Sequence, residues 1–277
     1  MIVDAHQHFW NPARGDYGWL TPDLPIHRVY GPDDLAPLMK AAGVDASIIV
    51  QAAPTAVETD YMLGIARRTP SVLGVVGWID LAAADAAAQV RARAADPLFL
   101  GVRPMLQDIA QPDWILRPEL DSGLRAIAEA GLVFDALVLS HQLDVAVELA
   151  SRHANLSIVL DHGAKPKLGD GAAMVAWRAD MARLAAKPNV VCKLSGLLTE
   201  LPKGADVANV KQSADALFDL FGSQRLLWGS DWPVLTLAGD YQGWAAQARD
   251  LIAANGADET AVMGGNALRI YRPSLRS

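Results

Sequence analysis

Eight times along the chain a short run of β-branched apolar residues gives way to a longer segment of helical period, and this alternation restricts the fold more than any other feature. The runs at Ile2–His8, Ala46–Ala53, Val72–Asp80, Phe99–Leu106, Leu132–Leu139, Leu156–Gly163, Val190–Leu197 and Leu226–Val234 read as strands. Helices are expected between and after them, at 33–43, 57–69, 83–95, 118–131, 140–153, 170–188, 206–222 and 243–256. Gly43, Gly131, Gly222 and Gly256 fall at helix ends, where the last turn favours a left-handed residue, and Asp33, Pro118 and Ser140 suit helix starts. Strands that read as continuous apolar runs are covered on both faces, as in a parallel (β/α)8 TIM barrel. A doubly wound open sheet would want a glycine-rich turn after the first strand, but the chain reads Phe9-Trp10-Asn11-Pro12 there. The expectation is one α/β barrel domain over residues 1–277, with long connections at 9–32 and 104–117 serving as lids or binding walls.

The residue balance narrows the partners. A net charge of −7 arises from 24 basic and 31 acidic residues with no basic run, which argues against nucleic acid and anionic membranes. No apolar run is long enough to span a bilayer, and the N-terminus lacks the basic and apolar segments of a secretory signal. With one cysteine, Cys192, no internal disulfide can form, and its place inside an apolar strand reads as packing. A cytoplasmic protein acting on a small molecule is expected.

In such a barrel the chemistry sits at the C-terminal strand ends. Strand one ends in Asp4-Ala5-His6-Gln7-His8, where alternate side chains share a face, so that His6 and His8 can point into one volume with Asp4 below them. Such a pair either binds a metal or forms hydrogen bonds at a strand end. The other ends carry Gln51, Trp78 and Asp80, Arg103, Asp161-His162, Lys193 and Ser195, and Asp231-Trp232. Burying so many polar groups without partners would cost about 1–3 kcal/mol for each neutral one, and more for charges.

These ends also carry a family resemblance. Asp4-Ala5-His6-Gln7-His8, Leu160-Asp161-His162-Gly163, Gly229-Ser230-Asp231-Trp232-Pro233 and Gly265-Asn266-Ala267-Leu268-Arg269-Ile270-Tyr271 resemble the amidohydrolase superfamily, of the amidohydrolase-2 type. Gly101-Val102-Arg103-Pro104, Lys193-Leu194-Ser195-Gly196 and Asp161-His162-Gly163-Ala164-Lys165-Pro166 resemble its branch of sugar-lactone hydrolases, which includes L-fuconolactonase and L-rhamnonolactonase. The resemblance implies that His6, His8, His162 and Asp231 surround one divalent metal, zinc by the chemistry of the donors, or its vacated place. A fuller family set adds a histidine from strand five and a bridging Lys or Glu from strand four. Here strand five offers none, and strand four offers Arg103, which argues against a binuclear centre and suits those lactonases that need no metal.

The activity so implied is hydrolysis of an aldonolactone to its sugar acid. Asp231 would act as general base, with Arg103, Lys193 and His162 stabilising the oxyanion. Lys193 and Arg103 can alternatively form a buried ion pair with Asp4 or Asp80. Trp10, Trp19, Trp78 and Trp232, with Gln51, are expected to meet the substrate, since aromatic faces pack against the C–H side of a sugar ring. Tyr17 lies with Trp10 and Trp19 in the first long loop, and Trp114 in the fourth loop. His141 reads either as a replacement ligand or as a helix-start surface residue; His27 and His153 read as non-functional. Rival readings are a zinc-dependent decarboxylase or amide hydrolase of the same superfamily, and a barrel that only binds a sugar acid.

Overall fold

The computed structural model describes residues 1–272; residues 273–277 of the expected domain lie outside it. Strands β1 (Val3–Gln7), β2 (Ala46–Val50), β3 (Val72–Gly77), β4 (Phe99–Val102), β5 (Val133–Ala136), β6 (Ser157–Leu160), β7 (Val190–Leu194) and β8 (Leu226–Trp228) form one sheet. They run in the order β1 to β8, and every neighbouring pair is parallel. The circle closes just beyond β8, where His8 N donates to Trp232 O (2.7 Å) and Asp231 N donates to His6 O (2.8 Å). The fold is the expected (β/α)8 barrel.

Helices α1 (Pro32–Ala42), α2 (Ala56–Arg68), α3 (Ala86–Ala94), α4 (Asp121–Glu129), α5 (Leu143–Arg152), α6 (Gly171–Ala185), α7 (Ala208–Phe221) and α8 (Tyr241–Ala254) surround the sheet. Three of their starts are capped by side chains: Thr55, Asp170 and Asp240 accept backbone N–H groups of α2, α6 and α8. A further helix, α9 (Asn266–Tyr271), is absent from the sequence reading because six residues carry too little periodicity. Asn266 on α9 donates to Leu226 O at the start of β8, so α9 lies across the N-terminal end of the barrel.

Strand alternation divides the apolar residues into two cores. One lies between barrel and helices and includes Ile49, Val75, Val102 and Cys192. The other fills the barrel with Val3, Ala5, Ile48, Val50, Val76, Val133, Val159, Val191 and Leu227, closed below by Ala267 and Tyr271 of α9. One step further along the inward faces of β5, β6 and β7, beyond Val133, Val159 and Val191, the chain places Asp135, Asp161 and Lys193.

The expected strands overran at their C-terminal ends. Strand six stops at Leu160 because His162, Gly163, Ala164 and Lys165 all take positive φ, at 52°, 57°, 58° and 49°. Strand eight stops at Trp228, and Asp231 beyond it also has positive φ, 58°. A left-handed conformation costs a non-glycine residue about 1–2 kcal/mol. Such strain persists only where the surroundings hold it, and here it falls on residues at the barrel mouth.

Candidate active site

Four side chains from three strand ends converge at the mouth. His6 Nε2 and His8 Nε2 lie 3.3 Å apart, and Asp231 Oδ1 lies 3.2 Å from His8 Nε2 and 3.6 Å from His6 Nε2. His162 Nε2 stands 3.8 Å from the same carboxylate oxygen. Two glycines make room: a Cβ on Gly229 would sit 2.7 Å from His6 Cβ, and one on Gly196 would sit 2.5 Å from His162 Nδ1. Ser195 Oγ, 2.9 Å from His162 Nδ1, orients that ring.

Asp4 does not join them, against the period-two reading. A register shift between Asp4 and Gln7 breaks the alternation of β1, and Asp4 turns outward to accept hydrogen bonds from Ser230 N (2.8 Å) and Tyr241 OH on α8 (3.0 Å). Burial pushes its carboxyl up to about 6.

The hydrogen-bond roles at the mouth do not close. His8 Nδ1 faces Val50 O at 2.8 Å, and a carbonyl only accepts, so a neutral His8 turns its Nε2 lone pair toward Asp231. Two acceptors 3.2 Å apart call for a shared proton or a cation between them. The donor spacing fits a cation. Ligands about 2.0–2.1 Å from a tetrahedral ion lie about 3.3–3.4 Å from one another, and His6, His8 and Asp231 present three ligand atoms at 3.3, 3.2 and 3.6 Å. His6, Asp161 and His162 form a second group of possible ligands.

Burial lowers the pKa of His162 to about 4, and burial followed by the Lys193 charge holds His6 well below its usual range. Both rings are therefore neutral at pH 7, the form that ligates metals or relays protons. For Asp231 burial works upward, but His162, the His8 hydrogen bond and His6 outweigh it and hold the carboxyl well below the ordinary range. It stays ionised.

Beneath this open group lies a closed one that shares His6. Lys193 Nζ donates to Asp135 Oδ2 and to His6 Nδ1 (3.1 Å) and forms an ion pair with Asp161 Oδ1 at 3.0 Å, which encloses its ammonium among three buried partners. Arg103 Nε donates to Gln51 Oε1 (3.3 Å), Nη2 to Gln51 Oε1 (3.1 Å) and to Gln51 O, and Nη1 to Asp161 Oδ2 (3.1 Å). Its fifth N–H is directed at the His6 ring, 3.4 Å from Nε2. Tyr271 OH on α9 bonds both oxygens of Asp135 (2.8 and 2.9 Å). Two cations thus balance two carboxylates. Burial pushes Asp135 up to about 6; burial also works upward on Asp161, but Lys193 and His6 outweigh it and hold Asp161 well below its ordinary range. The partners of Arg103 and Lys193 are Asp161 and Asp135, in place of the Asp4 or Asp80 expected in the ion-pair alternative.

With Lys193 donating at Nδ1, the His6 proton belongs on Nε2, facing His8. Taking a cation at Nε2 requires that proton to move to Nδ1, where Asp161 Oδ1 lies 3.3 Å away.

A cavity of about 200 Å³ opens over the upper group, walled by His8, Arg103, His162, Lys165, Asp231 and Trp19. Trp19 is anchored by its Nε1 donating to Ala52 O (2.7 Å). Trp78 lines a neighbouring cavity of about 550 Å³ with Trp114 and Met105. The other expected substrate contacts lie inside the fold. Trp10 is fully buried and its Nε1 donates to Ile26 O and Arg28 O, which pins the first long loop. Trp232 packs edge-on against Phe9 and Tyr30, and Gln51 is spent on Arg103. His141 is exposed on the surface. A larger cavity, about 620 Å³ beside Asp121, Arg125 and His153, lies next to residues that lead into β6, at the end of the barrel remote from the mouth. Its polar groups meet one another: Arg125 pairs with Asp121 at 3.9 Å, and His153 Nε2 lies 3.4 Å from the same carboxylate.

The sequence reading missed the roles of Asp135, Tyr271 and Glu58. Glu58 accepts from Ala52 N and Ala53 N beneath Trp19, and burial pushes its carboxyl up to about 7. An acidic residue in the apolar strand-five run was the available signal for Asp135.

The chain is 46% identical to an L-fucono-1,5-lactonase of Burkholderia ambifaria, over 98% of this chain and 95% of that protein. A second L-fucono-1,5-lactonase, from Burkholderia multivorans, is 38% identical over 98% and 96% of the two chains. A crystal structure of an amidohydrolase from Burkholderia multivorans with bound zinc superposes with a TM-score of 0.92 at 37% identity, covering 99% of this chain and 100% of that one. No helix among the described residues is long and apolar enough to cross a membrane. The family model described as amidohydrolase matches residues 3–272, and with these strand ends and full-length relatives the chain belongs to the amidohydrolase family.

Proposed function

We propose that the protein hydrolyses an aldonolactone, of the L-fucono-1,5-lactone type, to the open sugar acid, with Asp231 as general base. The observation that carries this reading is the Asp231 carboxylate, ionised among His6, His8 and His162 on the wall of a cavity at the barrel mouth. Full-length similarity to two L-fucono-1,5-lactonases supports the substrate class. At about 200 Å³ the cavity is below the roughly 300–1,000 Å³ of drug-sized sites and suits one small ring.

Asp231 takes a proton from water as the water oxygen bonds to the lactone carbonyl carbon, and the C=O pair moves onto the carbonyl oxygen. A base held at so low a pKa gains the proton only in concert with that attack. Collapse of the tetrahedral species breaks the ring C–O bond, and the proton on Asp231 passes to the leaving alkoxide. The lactone leaves as an alkoxide from a strained ester, so it demands less electrophilic assistance than an amide. His8, fixed by Val50 O, and His162, fixed by Ser195, orient the carboxylate. One divalent ion held by His6, His8 and Asp231 would supply Lewis-acid polarisation of the carbonyl. Trp19 offers an aromatic face to the sugar ring.

A panel of aldono-1,4- and 1,5-lactones followed with a pH indicator tests the proposal. Turnover of at least one well above its spontaneous hydrolysis is expected; none above that rate would refute it.

A further inference from the structure

An oxyanion forming at the lactone carbonyl needs a donor with hydrogen to spare, and the cations of the site differ in this. Arg103 is held in place by four N–H groups donated to Gln51 and Asp161, with its fifth against the edge of the His6 ring. Lys193 is fully buried and engaged by Asp135, Asp161 and His6. Neither can turn to a substrate without leaving a buried carboxylate unpaired.

A third cation lines the same cavity. Lys165 stands on the wall with His162, Asp231 and His8. Its side chain keeps 23% of its exposure, and among the described residues its ion-pair partner is Glu200 Oε1 at 3.7 Å, too long for a hydrogen bond. Its ammonium therefore keeps hydrogens free.

The backbone beneath it is shaped to put it there. Residues 162 to 165 form a left-handed turn, and Ser140 Oγ holds the turn by donating to Ala164 O (3.0 Å) and Lys165 O (2.7 Å). Trp177 Nε1 fixes it from below through Gly163 O (2.7 Å). One strained turn thus delivers His162 and Lys165 to one cavity. Such conformations persist where surrounding contacts over-determine them.

We propose that Lys165 is a catalytic residue, whose ammonium donates a hydrogen bond to the lactone carbonyl oxygen as it becomes the oxyanion, with Glu200 holding the ammonium at the cavity wall between turnovers. The proposal rests on the lactone-hydrolase reading. The water oxygen bonds to the carbonyl carbon, the carbonyl pair moves to the oxygen facing Lys165, and that pair returns as the ring C–O bond breaks; Lys165 keeps its proton throughout.

The experiment is steady-state kinetics of Lys165→Ala, Lys165→Gln and Lys165→Arg on the best lactone of the wild-type panel, with and without ethylammonium. Removing one oxyanion donor lowers kcat by about 100- to 1,000-fold. The expected result is a loss of that order in Lys165→Ala and Lys165→Gln with KM moved only a few-fold, return of at least tenfold in Lys165→Arg, and partial rescue of Lys165→Ala by ethylammonium but not by tetramethylammonium, which has no N–H. A kcat within threefold of wild type in Lys165→Gln overturns the proposal, as does a loss in folded Lys165→Ala that neither the amine nor Arg restores. Lys165→Gln preserves the chain length and backbone bonds and decides the matter if Lys165→Ala does not fold. A wild type inactive on every lactone defeats the lactonase reading itself, a separate outcome from an active wild type with an unimpaired Lys165→Gln.

Discussion

The barrel holds two polar groups, one above the other, that use the same residue types to opposite ends. The lower one, Lys193, Arg103, Asp161, Asp135 and Tyr271, is closed: its cations and carboxylates face each other from β4 to β7, and α9 seals it. The upper one, His8, Asp231, His162 and Lys165, is open, with two acceptors facing each other and an ammonium that meets Glu200 only at ion-pair distance, 3.7 Å. His6 belongs to both, Nδ1 below and Nε2 above. What separates structure from chemistry here is the bonding capacity left over, since both groups are buried and charged.

The strongest way to break this contrast is Lys193→Met. It leaves Asp135 and Asp161 short of a counter-charge inside the barrel, where breaking a buried pair costs about 3–5 kcal/mol. Thermal melting should show a large fall in Tm; an unchanged Tm with lost turnover would move Lys193 into the upper group. Next comes Tyr271→Phe, which removes the hydroxyl that bonds both Asp135 oxygens. A hydrogen bond to a charged group is worth about 1.5–3 kcal/mol. Urea denaturation should record a loss of that order while kcat stays within twofold, and a kcat loss with stability intact would contradict the division.

A smaller effect is expected from Glu58, which braces the loop under Trp19. Its pKa is raised from 4.5 to about 7 by burial, so the folded state holds the proton more tightly than the unfolded chain does. The stability tied to that proton is fully present below about pH 4.5 and is lost as pH rises to about 7. Melts from pH 4.5 to 8 should show a shallower decline in Glu58→Gln than in wild type, and parallel curves would remove Glu58 as the source. The smallest change is expected from Trp78→Ala. Trp78 faces the neighbouring cavity, so KM for a single-ring lactone should shift by less than about tenfold, the low end of what one methylene in contact with a substrate is worth; a larger rise would place the substrate across both cavities.

Much of this was readable from the chain because a parallel barrel buries both faces of each strand and sets its polar residues at the strand ends. The alternation located all eight strands, and His6, His8, His162 and Asp231, read from separate motifs, do meet at the mouth. What could not be read depends on partners brought from other strands. The β1 irregularity that turns Asp4 away leaves no mark in a period-two pattern. Whether Arg103 and Lys193 keep free hydrogens depends on Gln51, Asp135 and Asp161, from β2, β5 and β6. Trp10 and Trp232 resemble Trp19 in sequence and part from it only when the first loop folds back on the mouth.

If the open group performs the chemistry through Asp231, turnover of Asp231→Asn on the best lactone reveals it. Asparagine keeps the size and loses the base, so kcat should fall by about 100- to 10,000-fold, the range of a general base, with the melting curve of a folded barrel retained. Turnover within tenfold of wild type would remove Asp231 as the base.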